Sequence, residues 1–357
     1  MDIVVACGGT GGHAFPGLAV AEELRKRGHE VTVWCSGRDI ESSVMKSWTG
    51  PVFSTGAKQL KARNLFSILA SLARCRRAIK KNRPDVLLAM GSYSSLPPVI
   101  AAKSRGVPVV LHEANTVPGK AVDFLSRFAV RVATSFDMTE KCLPNAHIAK
   151  TGLPVRESIS KGTRFDFIPA DSFTVFVTGG SQGAHAVNEL LSDALAMLKR
   201  ELDRRTDKKN LYVIHQTGAK DEAFVKEMYA KAQIPSRVKA FETAMADAFA
   251  SADIVVARAG ASTCFELAAC GKPALLIPLP SALRDHQHYN AEAFAARGAA
   301  DEGIQDQLQP RQVCRYLLQK HDHPEQLASM RERMKALAEP DAAAKVADLL
   351  EGIVGGR

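Results

Sequence analysis

The chain has 357 residues, 46% of them apolar and 24% charged, with a formal net charge of +9. That is the composition of about two ordinary globular domains, and it excludes a disordered or low-complexity chain. The charge is uneven: residues 1–150 hold 21 Lys+Arg against 11 Asp+Glu, while the remainder holds 26 against 27, so the first half is predicted to meet something anionic.

MDIVVACGG at the N-terminus has no basic leader and reads as a first strand rather than a signal peptide. No stretch approaches the ~18 uninterrupted apolar residues of a membrane span. Seven cysteines form no CxxC pair; an odd number without a secretion signal predicts free thiols in a reducing cytosol, most of them small core residues. Ile3–Cys7 predicts a buried strand, Gly8–Gly12 a glycine loop, Pro16–Arg27 a helix ended by Gly28, and Val31–Cys35 a second strand. Gly9–Ala14 fits the spacing of a dinucleotide loop. The acid expected at the end of the second strand is replaced by Trp34-Cys35-Ser36-Gly37, which counts against an NAD(P)-dependent oxidoreductase. His13, at the loop-to-helix junction, is a helix-terminal histidine or a proton acceptor near neutral pH.

Residues 58–83 carry nine Lys/Arg and no acid. Leu65, Ile68, Leu69, Leu72 and Ile79 have helical spacing, so part of this segment is an amphipathic helix on the core. Packing does not account for the cations. With only Phe66 as an aromatic, they suit an anionic membrane surface better than nucleic acid, and no nucleic-acid partner is expected. A strand at Val86–Met90, the turn Gly91–Ser95, a helix through Lys103 and a strand Val107–His112 follow. Ligands of open α/β sheets bind at the carboxyl ends of strands, so Tyr93, Asn115 and His13 are expected on one rim.

Thr151–Arg156 breaks the pattern and marks a domain junction, with Arg156 a candidate phosphate ligand. The opening pattern then recurs. Thr174–Thr178 is a strand, Gly179–Ala184 a glycine turn with Ser181 as an N-cap or phosphate holder, and a helix follows. Strands are predicted at Leu211–His215, Val238–Phe241, Ile254–Ala257 and Ala274–Ile277. Arg258–Glu266 opens a helix in which Thr263 and Glu266 have capping-box spacing; Glu266 is equally suited to vicinal ribose hydroxyls. Arg284–Ala291 is a polar cluster. No acid pair has D-x-D spacing, and His286 and His288 have no third ligand, so no metal is expected. The stretch after Pro340 has amphipathic spacing that suits packing back on the first domain. The repeat predicts an α/β fold of two similar domains facing each other.

GGTGGHAFPGLAVAEEL, GSYSSLPP, HEAN, TGLPVR, TGGSQGAHAVN, RAGASTCFELAACGKPALLIPLP and DHQHYNA, in this order, closely resemble the MurG family. The resemblance implies two Rossmann-like domains facing across a cleft (GT-B). Residues 1–155, joined by the C-terminal helix 341–357, would form the acceptor- and membrane-binding domain, and 156–340 the donor domain. The family's reaction is inverting transfer of N-acetylglucosamine from UDP-GlcNAc to the C4 hydroxyl of the muramyl sugar of lipid I, giving lipid II for peptidoglycan. A same-fold transferase acting on another lipid, such as diacylglycerol, would share the donor motifs.

By motif, Thr10, Gly11 and Gly12 would contact the donor sugar-phosphate and Asn115 the sugar. Arg156 and Ser181 would bind the diphosphate. Ala261, Ser262, Thr263, Cys264, Phe265 and Glu266 would bind the nucleoside, with Glu266 on the ribose, and Gln287 would hold the sugar. His13 matches the proposed general base and Tyr93 lies on the acceptor side. Lys61, Arg63, Leu65, Phe66, Leu69, Arg76 and Arg77 would form the membrane face. UDP-GlcNAc is then a substrate, and no cofactor or metal is implied. Implied partners are lipid I, an anionic membrane surface and other cell-wall synthesis proteins, with the enzyme peripheral on the cytoplasmic face of the bacterial inner membrane. The chain departs from the family after Phe241, where Glu242-Thr243-Ala244 replaces the isoleucine that follows the uracil-contacting phenylalanine, and at Leu153 and Ala114, where Asn and Gln are frequent.

Overall fold

The computed structural model of the protein describes residues 1–9, 11–37, 48–57, 65–205 and 210–356. The chain divides into two compact units: Met1–Arg156 with Glu339–Arg357, and Glu157–Ala338. In chain order the first unit holds β1 (Asp2–Ala6), α1 (Gly11–Lys26), β2 (Glu30–Cys35), β3 (Val52–Ser54), α2 (Leu65–Lys81), β4 (Val86–Ala89) and α3 (Leu96–Lys103). It continues with β5 (Val109–Glu113), α4 (Lys120–Leu125), β6 (Arg131–Thr134), α5 (Thr139–Cys142) and β7 (Ile148–Lys150). The second unit holds β8 (Phe173–Thr178), α6 (His185–Asp203), β9 (Leu211–Gln216), α7 (Glu222–Lys231), β10 (Ser236–Lys239), α8 (Met245–Ser251) and β11 (Ile254–Ala257). Then come α9 (Ala261–Cys270), β12 (Ala274–Leu276), α10 (His286–Ala295), β13 (Ala300–Glu302), α11 (Pro310–Asp322) and α12 (Pro324–Lys335). The last helix, α13 (Ala342–Gly355), returns to the first unit.

Among the described residues each unit is built on one parallel sheet. The first has strand order β3-β2-β1-β4-β5-β6-β7 and the second β10-β9-β8-β11-β12-β13. The central strands are predominantly apolar because helices cover both faces, with polar residues gathered mainly at the carboxyl ends. In the first unit Ile3 and Val5 point to the side covered by α1 and α13, while Val4 and Ala6 point to the side that also buries Cys75, Ile79 and Val99. Val346, Ala347 and Leu350 of α13 complete the first of these layers. Arg27 holds α13 from outside, bonding Asp348 at 2.6 Å and Glu351 at 3.0 Å, and His29 reaches Glu351 at 2.7 Å.

In both sheets the order reverses beside the first strand, at β1/β4 and at β8/β11. Loops at such a reversal diverge and leave a crevice at the strands' carboxyl ends, where ligands of this architecture bind. The same topology thus yields one crevice in each unit.

Three details differ from the sequence expectations. The first helix begins at Gly11 and contains Pro16, which forgoes one intrahelical bond; His13 therefore lies in the first helical turn. The strand expected at Val238–Phe241 is Ser236–Lys239, its register set by pairing Ser236 with Val213. Leu69 leaves the core stripe and is 53% exposed, while Ser71, Cys75 and Ile79 form the buried face of α2.

Candidate active site

In the first unit the loops after β1 and β4 are bonded to one another. The Ser92 and Ser94 hydroxyls both donate to Gly8 O at 2.6 Å, closing the crevice floor. Gly9 has φ +124°, and a Cβ there would stand 2.9 Å from Ser92 Oγ, so only glycine fits this approach. Gly11, Gly12 and His13 form the first turn of α1, half-buried. Tyr93, half-buried, opens the short turn after β4. Thr10 lies outside the described residues.

β5 ends in His112-Glu113, and both side chains are buried. Glu113 Oε1 accepts the Asn115 N–H at 2.8 Å and Asn115 Nδ2 at 3.1 Å, while Oε2 accepts the Gly119 N–H at 3.0 Å. Burial raises the Glu113 pKa despite these three donors. Asn115 is thereby drawn back onto its own loop by a carboxyl group that the motif reading passed over. His112 Nε2 donates to Gly152 O at 3.0 Å, tying β5 to the Thr151–Arg156 turn. Burial, with a smaller contribution from the neighbouring His13, lowers its pKa to about 4 against the bond to Gly152; His112 is neutral at physiological pH. The same turn ends in Arg156, whose guanidinium carbon lies 4.0 Å over the Phe15 ring. This cation–π contact holds Arg156 against α1, two residues from His13, and accounts for its place in the first unit.

In the second unit Ser181 does not cap α6. It is exposed in the turn, and the helix N-cap is Ala184. Gly183 forces the difference: at φ +76° it passes so close to β9 that a Cβ would stand 2.0 Å from Thr217 O, and the loop needs further residues before the helix starts. The loop rests on a buried polar network. Asn188 Nδ2 donates to Thr217 O at 2.8 Å and to Asp221 Oδ2 at 2.7 Å, and Asn188 Oδ1 meets His215 Nε2 at 3.1 Å. His215 Nδ1 in turn meets the Tyr229 hydroxyl at 2.7 Å. Burial lowers the His215 pKa to about 3, so the ring stays neutral. These partners are far apart in the chain, which is why the motif reading did not find them.

Helix α9 starts at the carboxyl end of β11 with Gly260 as N-cap and no side-chain cap. The expected capping box of Thr263 and Glu266 is absent because the helix begins at Ala261, which puts Thr263 in the first turn and Glu266 beyond it. Ser262, Thr263 and Glu266 are half-buried, whereas Ala261, Cys264 and Phe265 are buried. Burial pushes the Cys264 thiol up to about 12, so this cysteine is no nucleophile. The segment can offer a ligand first-turn backbone N–H groups, which lack intrahelical acceptors, and the Glu266 carboxylate. Arg258 braces it from beneath, donating to Ile277 O at 3.2 Å, Pro278 O at 2.9 Å and Gln305 Oε1 at 2.5 Å.

Gln287 lies after β12. Its Oε1 accepts the Leu279 N–H at 3.0 Å, which leaves its amide donors for a ligand. The chain reaches it through Arg284 and Asp285, both at φ +54°, consecutive left-handed residues of the kind that persist where a site over-determines the backbone. His288 pairs with Glu302 at 2.7 Å, a bond that raises its pKa. Phe241 is exposed after β10, and the buried Glu242 beside it is paired to Arg237 at 2.6 Å. Burial pushes the Glu242 pKa up, but the bonds from Arg237 and the Ala244 N–H outweigh it and leave the carboxyl below its ordinary range.

Gly11, Gly12, His13, Tyr93 and Asn115 thus follow the adjacent strands β1, β4 and β5 of the first unit, with Arg156, which follows the edge strand β7, brought to α1 by Phe15; Ser181, Ala261–Glu266 and Gln287 follow the adjacent strands β8, β11 and β12 of the other. Among the described residues no cluster of three His, Cys, Asp or Glu side chains is placed to hold a metal ion. Of the residues expected on a membrane face, Lys61 and Arg63 and the side chain of Leu65 lie outside the described residues. Phe66, Leu69, Arg76 and Arg77 share the exposed side of α2.

Residues 3–134 match the glycosyltransferase family 28 N-terminal domain and residues 174–346 the family's C-terminal domain. A UDP-N-acetylglucosamine--N-acetylmuramyl-(pentapeptide) pyrophosphoryl-undecaprenol N-acetylglucosamine transferase from Geobacter metallireducens is 36% identical over 360 residues, covering 98% of this chain and 97% of its own length. The protein of the same name from Myxococcus xanthus is 34% identical over 358 residues, covering 98% and 92%. The crystal structure of Acinetobacter baumannii MurG superposes with a TM-score of 0.76 at 31% identity, covering 98% of both chains. Two parallel-sheet units of GT-B type, both family 28 domains in order and similarity along nearly the whole length place the chain in the MurG family of glycosyltransferases.

Proposed function

We propose that the protein transfers N-acetylglucosamine from UDP-GlcNAc to the C4 hydroxyl of the muramyl sugar of undecaprenyl-diphospho-MurNAc-pentapeptide (lipid I), forming lipid II for peptidoglycan. The observation that carries this is the near full-length similarity to the Geobacter metallireducens transferase, whose name states that donor and acceptor.

In this reading the reaction is a single displacement with inversion. His13 takes the proton of the acceptor hydroxyl, and that oxygen attacks the anomeric carbon as UDP leaves from the opposite face. The negative charge that grows on the diphosphate is met by N–H groups of the Gly179–Ala184 loop, the first turn of α9 and the Arg156 guanidinium. Glu266 accepts from the ribose hydroxyls, and Gln287, its oxygen already bound to Leu279, donates to the sugar. Thr10, Gly11 and Gly12 pack against the sugar-phosphate, Asn115 lies near the sugar, and Tyr93 faces the acceptor. UDP-GlcNAc enters as a substrate, and the scheme is written without a metal.

No helix among the described residues is long and apolar enough to cross a membrane. The lipid acceptor requires a bilayer, and the exposed Phe66 and Leu69 beside Arg76 and Arg77 support peripheral attachment to an anionic surface; the proposal sets that surface on the cytoplasmic side of the membrane, in the company of other cell-wall synthesis proteins. Labelled UDP-GlcNAc offered with lipid I, and separately with diacylglycerol, tests the assignment. Labelled lipid II is expected. Donor binding with transfer to diacylglycerol and none to lipid I would overturn it.

A further inference from the structure

Gln216, the last residue of β9, is buried and belongs to none of the motifs discussed above. All of its amide is used. Nε2 donates to Thr178 Oγ1 at 3.1 Å and to Gly180 O at 2.9 Å, while Oε1 accepts the Glu242 N–H at 2.9 Å. Thr178 Oγ1 also accepts the Gly180 N–H at 3.1 Å, so this pair engages both backbone groups of Gly180. On the other side, Glu242 follows Phe241, and its carboxylate accepts the Ala244 N–H at 2.9 Å and Arg237 Nη2 at 3.2 Å. One planar group therefore spans two loops, the glycine turn after β8 and the turn after β10, and neither loop touches β9 through another side-chain amide among the described residues.

We infer that Gln216 is a positioning residue that sets the spacing between the loop read above as holding the donor diphosphate and the turn after β10, whose exposed Phe241 offers a ring face for the base to stack on, so that a uridine diphosphate binds as one ligand instead of two independent fragments. The inference rests on the donor reading of the second unit given above. Its chemistry follows from the amide. Two donors and one acceptor are needed in a single rigid plane; glutamate keeps the acceptor and loses both donors, methionine keeps the length and loses all three, and asparagine is one methylene short. A ligand that touches one loop tolerates a shift of the other. A ligand that touches both does not, because part of its binding energy is then spent on bringing the loops into register.

The test is calorimetric titration of the full chain with UDP, uridine and inorganic pyrophosphate, for the wild type, Gln216→Met and the milder Thr178→Val. For Gln216→Met the UDP affinity is expected to fall about tenfold, with uridine and pyrophosphate each changed less than about twofold; Thr178→Val shifts in the same direction by less. In the transfer assay KM for UDP-GlcNAc rises while kcat stays within about twofold, a split that loss of uniform binding produces. Unchanged UDP affinity, or equal weakening of all three ligands, overturns the inference, and Thr178→Val decides it if Gln216→Met fails to fold. A wild-type protein that binds no UDP would overturn the donor reading and this inference with it.

Discussion

Replacing Phe66 and Leu69 by serine removes the apolar part of the exposed face of α2 without touching its core face, which is formed by Ser71, Cys75 and Ile79. Phe66 is 87% exposed and Leu69 53%, so nearly all of one side chain and half of the other are still available for transfer out of water. Complete burial of such side chains contributes about 1.5–3 kcal/mol each. Scaled by exposure, the pair contributes about 2–4 kcal/mol in hydrocarbon, and about half of that at the headgroup boundary where an interfacial helix rests. A loss of ~1–2 kcal/mol is roughly a 5–30-fold drop in partitioning. The assay is co-sedimentation of the full chain with vesicles containing phosphatidylglycerol at about 0.1 M salt, with UDP-GlcNAc binding as the control for folding. Among the described residues no carboxylate pairs with Arg76 or Arg77, so changing each to glutamine should weaken binding to anionic vesicles by roughly fivefold, from about 1 kcal/mol per cation. If the serine pair partitions within about twofold of the wild type while still binding donor, α2 is not the membrane face.

Replacing His13 by alanine should lower kcat by about 10²–10⁴-fold under saturating substrates while leaving UDP binding intact; an unchanged single-turnover rate would mean that another group takes the proton. The neutral rings of His112 and His215 should make the fold acid-sensitive. An unfolded histidine protonates below about pH 6.5, whereas these hold out to about 4 and about 3. Their contribution is therefore complete above pH 6.5 and is lost as pH falls through that window, with a slope of about 1.4 kcal/mol per pH unit for each proton. Denaturant titrations from pH 7 to 4 should show a shallower slope in His112→Gln, and equal slopes would refute the assignment. Leu350→Ala, in the fully buried core face of α13, should destabilise the first unit by about 2–5 kcal/mol. Both tryptophans, Trp34 and Trp48, lie in that unit, so their fluorescence reads it alone; no shift in that transition would show that α13 is dispensable.

The parallel sheets were legible because each central strand is a short apolar run followed by a glycine turn and a helix. Short edge strands such as Ile148–Lys150 and Ala300–Glu302 carry no such signal and exist because a neighbour pairs with them. Candidate ligands placed by motif fall on the rims of the crevices, but the details of their support were not readable. Ser181 and the Thr263/Glu266 pair have the local spacing of caps, yet where each helix begins is decided by the close passage of Gly183 over Thr217 and by Gly260. Asn188, Gln216 and Arg258 escaped notice for a related reason: each is a polar residue whose meaning lies in partners remote in sequence. A usable signal was present, since β5 and β9 end in similar polar runs, His112-Glu113 and His215-Gln216, where a buried strand should remain apolar.

Helix α13 gives the first unit an unusual timetable. On the ribosome, α1 and the first sheet emerge early, yet Val346, Ala347 and Leu350, which seal one face of that sheet, follow only after the whole of Glu157–Ala338 has been made. The second unit is continuous and can complete its core while the chain is still growing; the first must wait with an apolar face uncovered. The unit that carries His13 and the cationic helix is thus the last to mature. A nascent chain that has emerged through Ala338 but not yet through α13 is able to present a finished second crevice and an unfinished first one.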